Sequence, residues 1–425
     1  MSFSSTSVHW KYAALPVGLV AALALSSCGG AQDSAGAQTA SGVNVDDCTN
    51  PESVNEKITG EFTLGYSAPL SGPVAGPVKL ASDGYMARID AANAAGGIDG
   101  VKINVVYKDD GFQPDKAKAN VTEFVESLKV DGLSTFGAGT LGAMAADQNA
   151  ACVPMLYPSS SAPEFSVIAD YPWTVQFLPS ATSEASFAVN LIKKTFPDGV
   201  KLGVAENQTA SGMNYSEAFK AAAKEAGLDI EVVTPDTDPN AAATVLKAAG
   251  VNAVYHAGIV GSCGVLDTAM GRIGYKPELV LKPSNCVAAS EYIAAGAAAD
   301  GVKVPAYLKL VGSPDFADDA GVKMYLDQVK GISDPSNAVT ASGWTGADLL
   351  VNTLQQAAAS PEGLTRLSII EAARDQNYAS PLLIDGVMWE STPEKMTGFN
   401  GFSALTWSAA EQRFVSDGTV LGIGS

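Results

Sequence analysis

The sequence predicts an α/β fold in two lobes, each built on a parallel sheet with helices on both faces. Three observations predict it. From Glu61 onward short apolar strands alternate with helices across short connections. The alternation lapses and then resumes as a second set near Lys201. Roughly 370 residues follow position 57, too many for one compact core and comfortable for two domains.

The first element is a leader. Lys11 is its one charged side chain, and the apolar run Tyr12 to Leu25 matches a signal-peptide core but falls short of the ~20 residues of a spanning helix. It ends in Leu25-Ser26-Ser27-Cys28, which resembles the bacterial lipobox, so residues 1–27 are expected to be removed and Cys28 to be lipidated. Residues 28–57 open with small and polar residues that bury too little apolar surface to offset chain entropy, and are expected to be a flexible tether. The body is thus expected outside the cytoplasm, anchored to the outer face of a bacterial cell membrane.

Phe62–Tyr66 reads as a buried strand, followed by a turn-rich loop through Pro73. Val78–Ala95 reads as a helix closed by Gly96-Gly97, where left-handed backbone carries little strain. Val101–Lys108 is a second strand and Asp115–Leu128 a helix opened by Pro114. Leu133–Phe136, helix Leu141–Ala151 and Val153–Tyr157 complete the first set. The second has strands at Lys201–Ala205, Ile230–Val233, Val251–Ala257 and Leu279–Leu281, with helices at Tyr215–Ala226, Ala241–Ala249 and Val265–Ile273. Trp344 is expected to begin a long helix to Ala359. Ligands of such sheets sit beyond the carboxyl ends of the strands, so the loops there are the ones that matter.

Net charge is −19, or −20 without the leader and its Lys11, which repels phosphates and makes nucleic acid an improbable partner. Cys48, Cys152, Cys263 and Cys286 remain beside Cys28. An even number in an exported chain points to two disulfides with three possible pairings; Cys48–Cys152 with Cys263–Cys286 keeps each within one lobe. No CxxC spacing exists, and His256 is the single histidine after the leader, which counts against metal sites, cofactors and histidine-dependent catalysis.

Three stretches carry a resemblance: Gly65-Tyr66-Ser67-Ala68-Pro69-Leu70-Ser71-Gly72-Pro73; Ala91 to Gly100 followed by Tyr107-Lys108-Asp109-Asp110; and Val153-Pro154-Met155-Leu156-Tyr157-Pro158-Ser159-Ser160-Ser161. In order and spacing the chain resembles the leucine/isoleucine/valine-binding protein family, the type I periplasmic solute-binding proteins of ABC importers. The resemblance implies two Rossmann-like lobes joined by three crossover segments near Pro179, Val304 and Met388, closing on a ligand by a hinge motion. Lobe 1 would comprise 58–179 and 305–388, and lobe 2 180–304 and 389–425. It also implies a small-molecule ligand, permease and ATPase partners, and a monomer that is not an enzyme.

The resemblance places ligand contacts at Ala138, Gly139 and Thr140 after the third strand, where the family's serine hydroxyl is missing, and at Ser159, Ser160 and Ser161 after the fourth. The alternative reading of the three serines is as helix caps. In the second lobe Ile259 stands where the family has a tyrosine, and Ser284 where it has the carboxylate that pairs the ligand's ammonium. Ser211 and Pro77 replace aromatics. A buried unpaired ammonium costs several kcal/mol, so a zwitterionic amino acid is disfavoured unless Glu206 or Glu164 comes into reach; an amide, a carboxylate or a neutral compound fits better.

Among other residues, His256 reads as a core or rim histidine or a ligand contact, and Gln176 as a hinge residue or a ligand contact. Asp109-Asp110 invites an acid–base reading, but Gly111 after it favours a capped surface turn. Two rival functions are a sensor module for a separate signalling partner and an exported hydrolase; the latter lacks a Gly-x-Ser-x-Gly elbow.

Overall fold

A computed structural model describes residues 43–422. The leader, Cys28 and the first part of the expected tether lie outside the described residues. The five strands of the first set are β1 (Glu61–Ala68), β2 (Lys102–Asp109), β3 (Gly132–Thr135), β4 (Met155–Leu156) and β5 (Thr174–Val175). They form one all-parallel sheet in the order β2-β1-β3-β4-β5. Helices α1 (Ala75–Ala94), α2 (Pro114–Thr122) and α3 (Ala138–Ala150) link them. The expected helix to Leu128 is interrupted: Glu123–Leu128 forms a π-turn that stops at left-handed Lys129.

The chain then crosses into α4 (Ala181–Thr195), opened by the Ser180 side chain, which accepts from the Ser183 N–H. The second set runs β6 (Leu202–Glu206), α5 (Ala210–Glu225), β7 (Ile230–Pro235), α6 (Pro239–Ala249), β8 (Ala253–Ala257), α7 (Val265–Arg272), β9 (Leu279–Leu281), α8 (Ser290–Ile293) and β10 (Lys303–Ala306). Asp238, Pro239 and Gly250 bound α6 as cap, first residue and left-handed stop.

From β10 the chain returns through α9 (Ala320–Gln328) and α10 (Ala338–Ala358), which packs on α1. That approach needs glycine on both helices. A Cβ on Gly84 would lie 2.0 Å from the Thr340 carbonyl oxygen, and one on Gly343 1.9 Å from that of Ala81. Trp344 therefore sits inside α10, against Tyr325, and does not begin it. Next comes α11 (Arg366–Arg374), opened by a Thr365/Ser368 capping box.

Three short strands, β11 (Gln376–Tyr378), β12 (Trp389–Thr392) and β13 (Lys395–Phe399), form a separate antiparallel sheet. Trp389 and Phe399 pack into the first lobe's core with Tyr157 and Phe177. The passage back to the second sheet thus falls at Asn400, not at Met388, and 389–399 belong with the first lobe. The last strands, β14 (Gly401–Ser408) and β15 (Arg413–Gly422), add an antiparallel hairpin to the second sheet, ordered β15-β14-β10-β9-β8-β6-β7.

The disulfides are Cys48–Cys152 and Cys263–Cys286. The first corrects part of the tether expectation. Residues 43–57 are docked on the body, with two short 3-10 turns, buried Val43 and Val54, and the Cys48 bridge. Apolar Val43, Val54 and the thiol give this stretch the surface to pack that the small-residue run before it lacks.

Candidate ligand-binding site

Both sheets reverse strand order, between β2-β1 and β3 in one and between β7-β6 and β8 in the other. At such a switch point the loops after adjacent strands part and leave a crevice. The two crevices enclose a chamber of about 300 Å³ and a smaller one of about 40 Å³ beside it.

The first lobe gives the large chamber an aromatic wall. Tyr66, near the end of β1, stacks on Tyr107 at 5.0 Å and meets Tyr85 of α1 edge-on at 5.6 Å. Burial pushes the Tyr66 hydroxyl up to about 12, and that of Tyr85 well above its usual value. The Tyr85 Oη has no partner among the described residues. Tyr157, left-handed at φ 52°, follows β4, and its Oη lies 2.6 Å from Thr353 Oγ1. Phe136, Phe177 and Tyr307 complete the wall, with Tyr307 stacked on Phe399 at 4.0 Å.

The second lobe contributes Val260, Ser284, Asn285 and Val287. Behind Ser284 stands Glu184 of α4. Its two carboxylate oxygens accept from the Ser284 N–H and Oγ–H, each at 2.7 Å. Glu184 is buried, and desolvation pushes its carboxyl up to about 8 against the opposing pull of the Ser284 hydrogen bonds. Elsewhere in the second lobe, Lys282 donates to Asp267 Oδ2 (2.6 Å), to the Cys263 carbonyl and to His256 Nδ1 (3.3 Å), and His256 Nε2 lies 3.0 Å from Asp236. Burial and the Lys282 charge hold His256 below its ordinary value. His256 is thus a core histidine in an ionic chain, away from both chambers.

The small chamber collects many of the residues expected from sequence: Ser159, Ser160, Ser161, Ser211 and Ile259 line it, with Gly137 and Asn285. Ser159 and Ser284 line the large one. Pro77, Ala138, Gly139 and Thr140 line neither. The Ala138 N–H donates to Ser211 Oγ at 3.1 Å, joining the two lobes, and Gly139 faces Ala210. Thr140 donates its hydroxyl back to the carbonyls of Phe136 and Gly137, so that hydrogen is not free for an anion. Pro77 lies near Gly261 of the opposite lobe.

Neither acid proposed to rescue an ammonium is in place. Glu206 is paired with Lys220 at 2.8 Å, and Glu164 is exposed on a 3-10 turn. Glu184 stands there instead, a hundred positions from Ser284, and no local pattern marks it. Gln176 is structural, donating to the Ala162 carbonyl and Ser166 Oγ. Asp109 accepts from Ser71 Oγ and three backbone N–H groups, a capped turn as expected, while Asp110 is buried and accepts from Ser67 Oγ. Among the described residues no cluster of His, Cys, Asp and Glu fits a metal ion.

Residues 61–405 match the family model described as periplasmic binding protein. The chain belongs to that family. This periplasmic binding protein is 25% identical over 315 residues to the Leu/Ile/Val-binding protein homolog 3 of Brucella melitensis, covering 71% of this chain and 81% of that protein. It is 26% identical over 325 residues to the leucine-, isoleucine-, valine-, threonine-, and alanine-binding protein of Pseudomonas aeruginosa, covering 73% and 83%. In fold it is similar to a branched chain amino acid ABC transporter protein from Thermus thermophilus with bound valine, at a TM-score of 0.76, 18% identity and coverage of 85% and 96%. A solute binding protein from R. palustris in complex with benzoate follows at 0.69, 18% identity and coverage of 85% and 98%. These periplasmic binding proteins are type I, α/β binders of small solutes outside the cytoplasm, and not enzymes.

Proposed function

We propose that this chain is the substrate-binding lipoprotein of an ABC importer of the branched-chain amino acid type, capturing a small organic solute by hinge closure. The observation that carries this reading is the 300 Å³ chamber, walled by Tyr66, Tyr85 and Tyr157 on one lobe and by Val260, Ser284 and Asn285 on the other. A site divided between two lobes binds most tightly when both close on the ligand, so occupancy is converted into a shape that a permease reads. The Ala138–Ser211 hydrogen bond across the cleft supports a closed state.

In this reading lobe 1 is 58–179 with 305–399 and lobe 2 is 180–304 with 400–425. The partners are permease and ATPase subunits, and the protein works as a monomer. The lipid on Cys28 holds it at the membrane; among the described residues no helix is long and apolar enough to cross one. Cys28→Ala is expected to release the protein into the medium or periplasm, and retention on membranes by that variant would sink the anchor.

A thermal-shift screen against amino acids, amides, amines and organic acids tests solute binding. A ligand at about 100 times its dissociation constant raises stability by about 2.7 kcal/mol, a shift of a few degrees. No stabilising compound, together with no co-purifying permease, would overturn the transport reading.

A further inference from the structure

The chamber has an unbalanced charge pattern, and the pattern names a ligand class within the solute-binding reading on which this inference rests. Glu184 is a buried carboxylate with no basic side chain within 4 Å among the described residues. A desolvated carboxylate without a counter-ion is unfavourable, and it either takes a proton or gains a cation. Its place makes it part of the site. It is bonded to Ser284, which lines the large chamber, and its charge reaches Tyr307, which lines the same chamber, and Tyr215, which lines the small one.

The lining offers nothing comparable to an anion. Its two basic side chains among the described residues are Lys309 and Arg413. Lys309 is paired with Asp319 at 2.8 Å and Asp385 at 3.3 Å, and Arg413 with Glu411. The first N–H of α3, which a carboxylate ligand would want, already donates to Ser211. The chamber is lined by Tyr66, Tyr85, Phe136, Tyr157, Phe177 and Tyr307, and aromatic rings attract cations. Asn285 Oδ1, on the same lining, is an acceptor without a partner among the described residues. The chain as a whole carries −19, which concentrates cations at its surface.

We infer that the chamber selects an organic cation, a protonated amine on an aromatic or apolar body with no need of a carboxylate, and that Glu184 is its counter-ion. The ammonium donates to Asn285 Oδ1 and to Ser284 Oγ, whose own hydrogen already goes to Glu184. The serine hydroxyl thus passes the carboxylate's charge to the ligand without either ion reaching water. In the empty chamber Glu184 holds a proton near neutral pH; the arriving cation favours the ionised form, and that proton leaves to solvent. The other titratable groups facing Glu184 are Tyr215 on α5, Tyr255 on β8 and Tyr307 after β10, all raised above their ordinary values and neutral throughout.

The test is isothermal titration of the full chain with two bodies in three charge patterns. Phenethylamine and tryptamine carry the amine alone, phenylalanine and tryptophan both groups, and 3-phenylpropanoate and indole-3-propanoate the acid alone. The inference expects an amine to bind at least tenfold tighter than its amino acid and its acid. It also expects proton release at pH 7, read from buffers of different ionisation enthalpy, and loss of tenfold or more in amine affinity in Glu184→Gln. Tighter binding of an acid or amino acid than of its amine overturns it and leaves the solute-binding reading intact. So does amine binding without proton release, a wild-type measurement that does not depend on the variant folding. Silence of both amines overturns it as well, and the broader screen then judges the solute-binding reading separately.

Discussion

The two walls of the chamber are built on opposite principles. The first lobe's wall is mainly aromatic, its Lys309 paired with Asp319 and Asp385: its tyrosines pack on one another, and the lobe is tied by Cys48–Cys152 and by helices that touch through Gly84 and Gly343. The second lobe rests on buried titratable groups, with Glu184 bonded to Ser284 and a separate chain Asp236–His256–Lys282–Asp267 elsewhere in the lobe. Apolar stacking gives shape and tolerates small change. A buried ionic chain tolerates almost none, because removing one member strands the others in low dielectric. In the solute-binding reading proposed above, shape comes from the first lobe and charge from the second.

The largest expected effect tests the covalent tie of the first lobe. Replacing Cys48 and Cys152 by serine opens a link across 104 residues, worth about 4.7 kcal/mol in the chain-entropy model. The Cys263–Cys286 link spans 23 and is worth about 3.4 kcal/mol. Urea unfolding of the two double variants gives both values, and a reversed order would mean that the second lobe depends on its staple more than the first.

Next is Lys282→Met, which leaves Asp267 and its already unpartnered Oδ1 buried without a cation. A loss of about 3 to 5 kcal/mol is expected, largely recovered in Lys282→Met/Asp267→Leu. A cost under about 1 kcal/mol, the size of a surface pair, would break the contrast between the lobes.

Glu184 comes third, through pH. Its folded value of about 8 lies above the ordinary 4.5, so the folded state holds the proton more tightly. The stability this contributes is complete below about pH 4.5 and is lost as pH rises through 8. Between pH 6 and 8 that amounts to a fall of about 2 kcal/mol. The comparison is sharpened by melting wild type and Glu184→Gln side by side: the difference between them should change across this window, and parallel curves would remove Glu184 from the account.

The smallest effect is Ser211→Ala. It removes the acceptor of the Ala138 N–H across the cleft, a hydrogen bond worth about 1 kcal/mol, and so weakens closure and ligand affinity by less than tenfold. A titration that shows no change would mean that the two lobes meet without help from this contact.

Much of the architecture was legible because strand and helix periodicities are local. The places of β1, β2 and α6 followed from apolar runs to within about two residues at each end, while the Pro239 start of α6 was not read from them. The long helix was misjudged at its start because the Asn337 cap precedes a run of small residues that carries no apolar period. The strands β12 and β13, expected with the second lobe, pack on the first for a different reason: Trp389 and Phe399 are apolar to either core, and only contact with Tyr157, Phe177 and Tyr307 decides between them.

The site divides along the same line. Loops after strands were expected to carry it, and Ser159, Ser160, Ser161, Ser211, Ile259 and Ser284 do line the chambers. By itself the sequence determined the α/β alternation, the two sets of strands, the leader pattern and the cysteines available to pair, since each depends on neighbours a few positions apart or on composition. Tertiary structure alone decided that Thr140 folds back on its own turn, that Tyr85 and Tyr307 reach one chamber from distant helical and loop segments, and that Glu184 meets Ser284 across a hundred residues. Burial and charge pairing are properties of the folded packing, and no spacing along the chain encodes them.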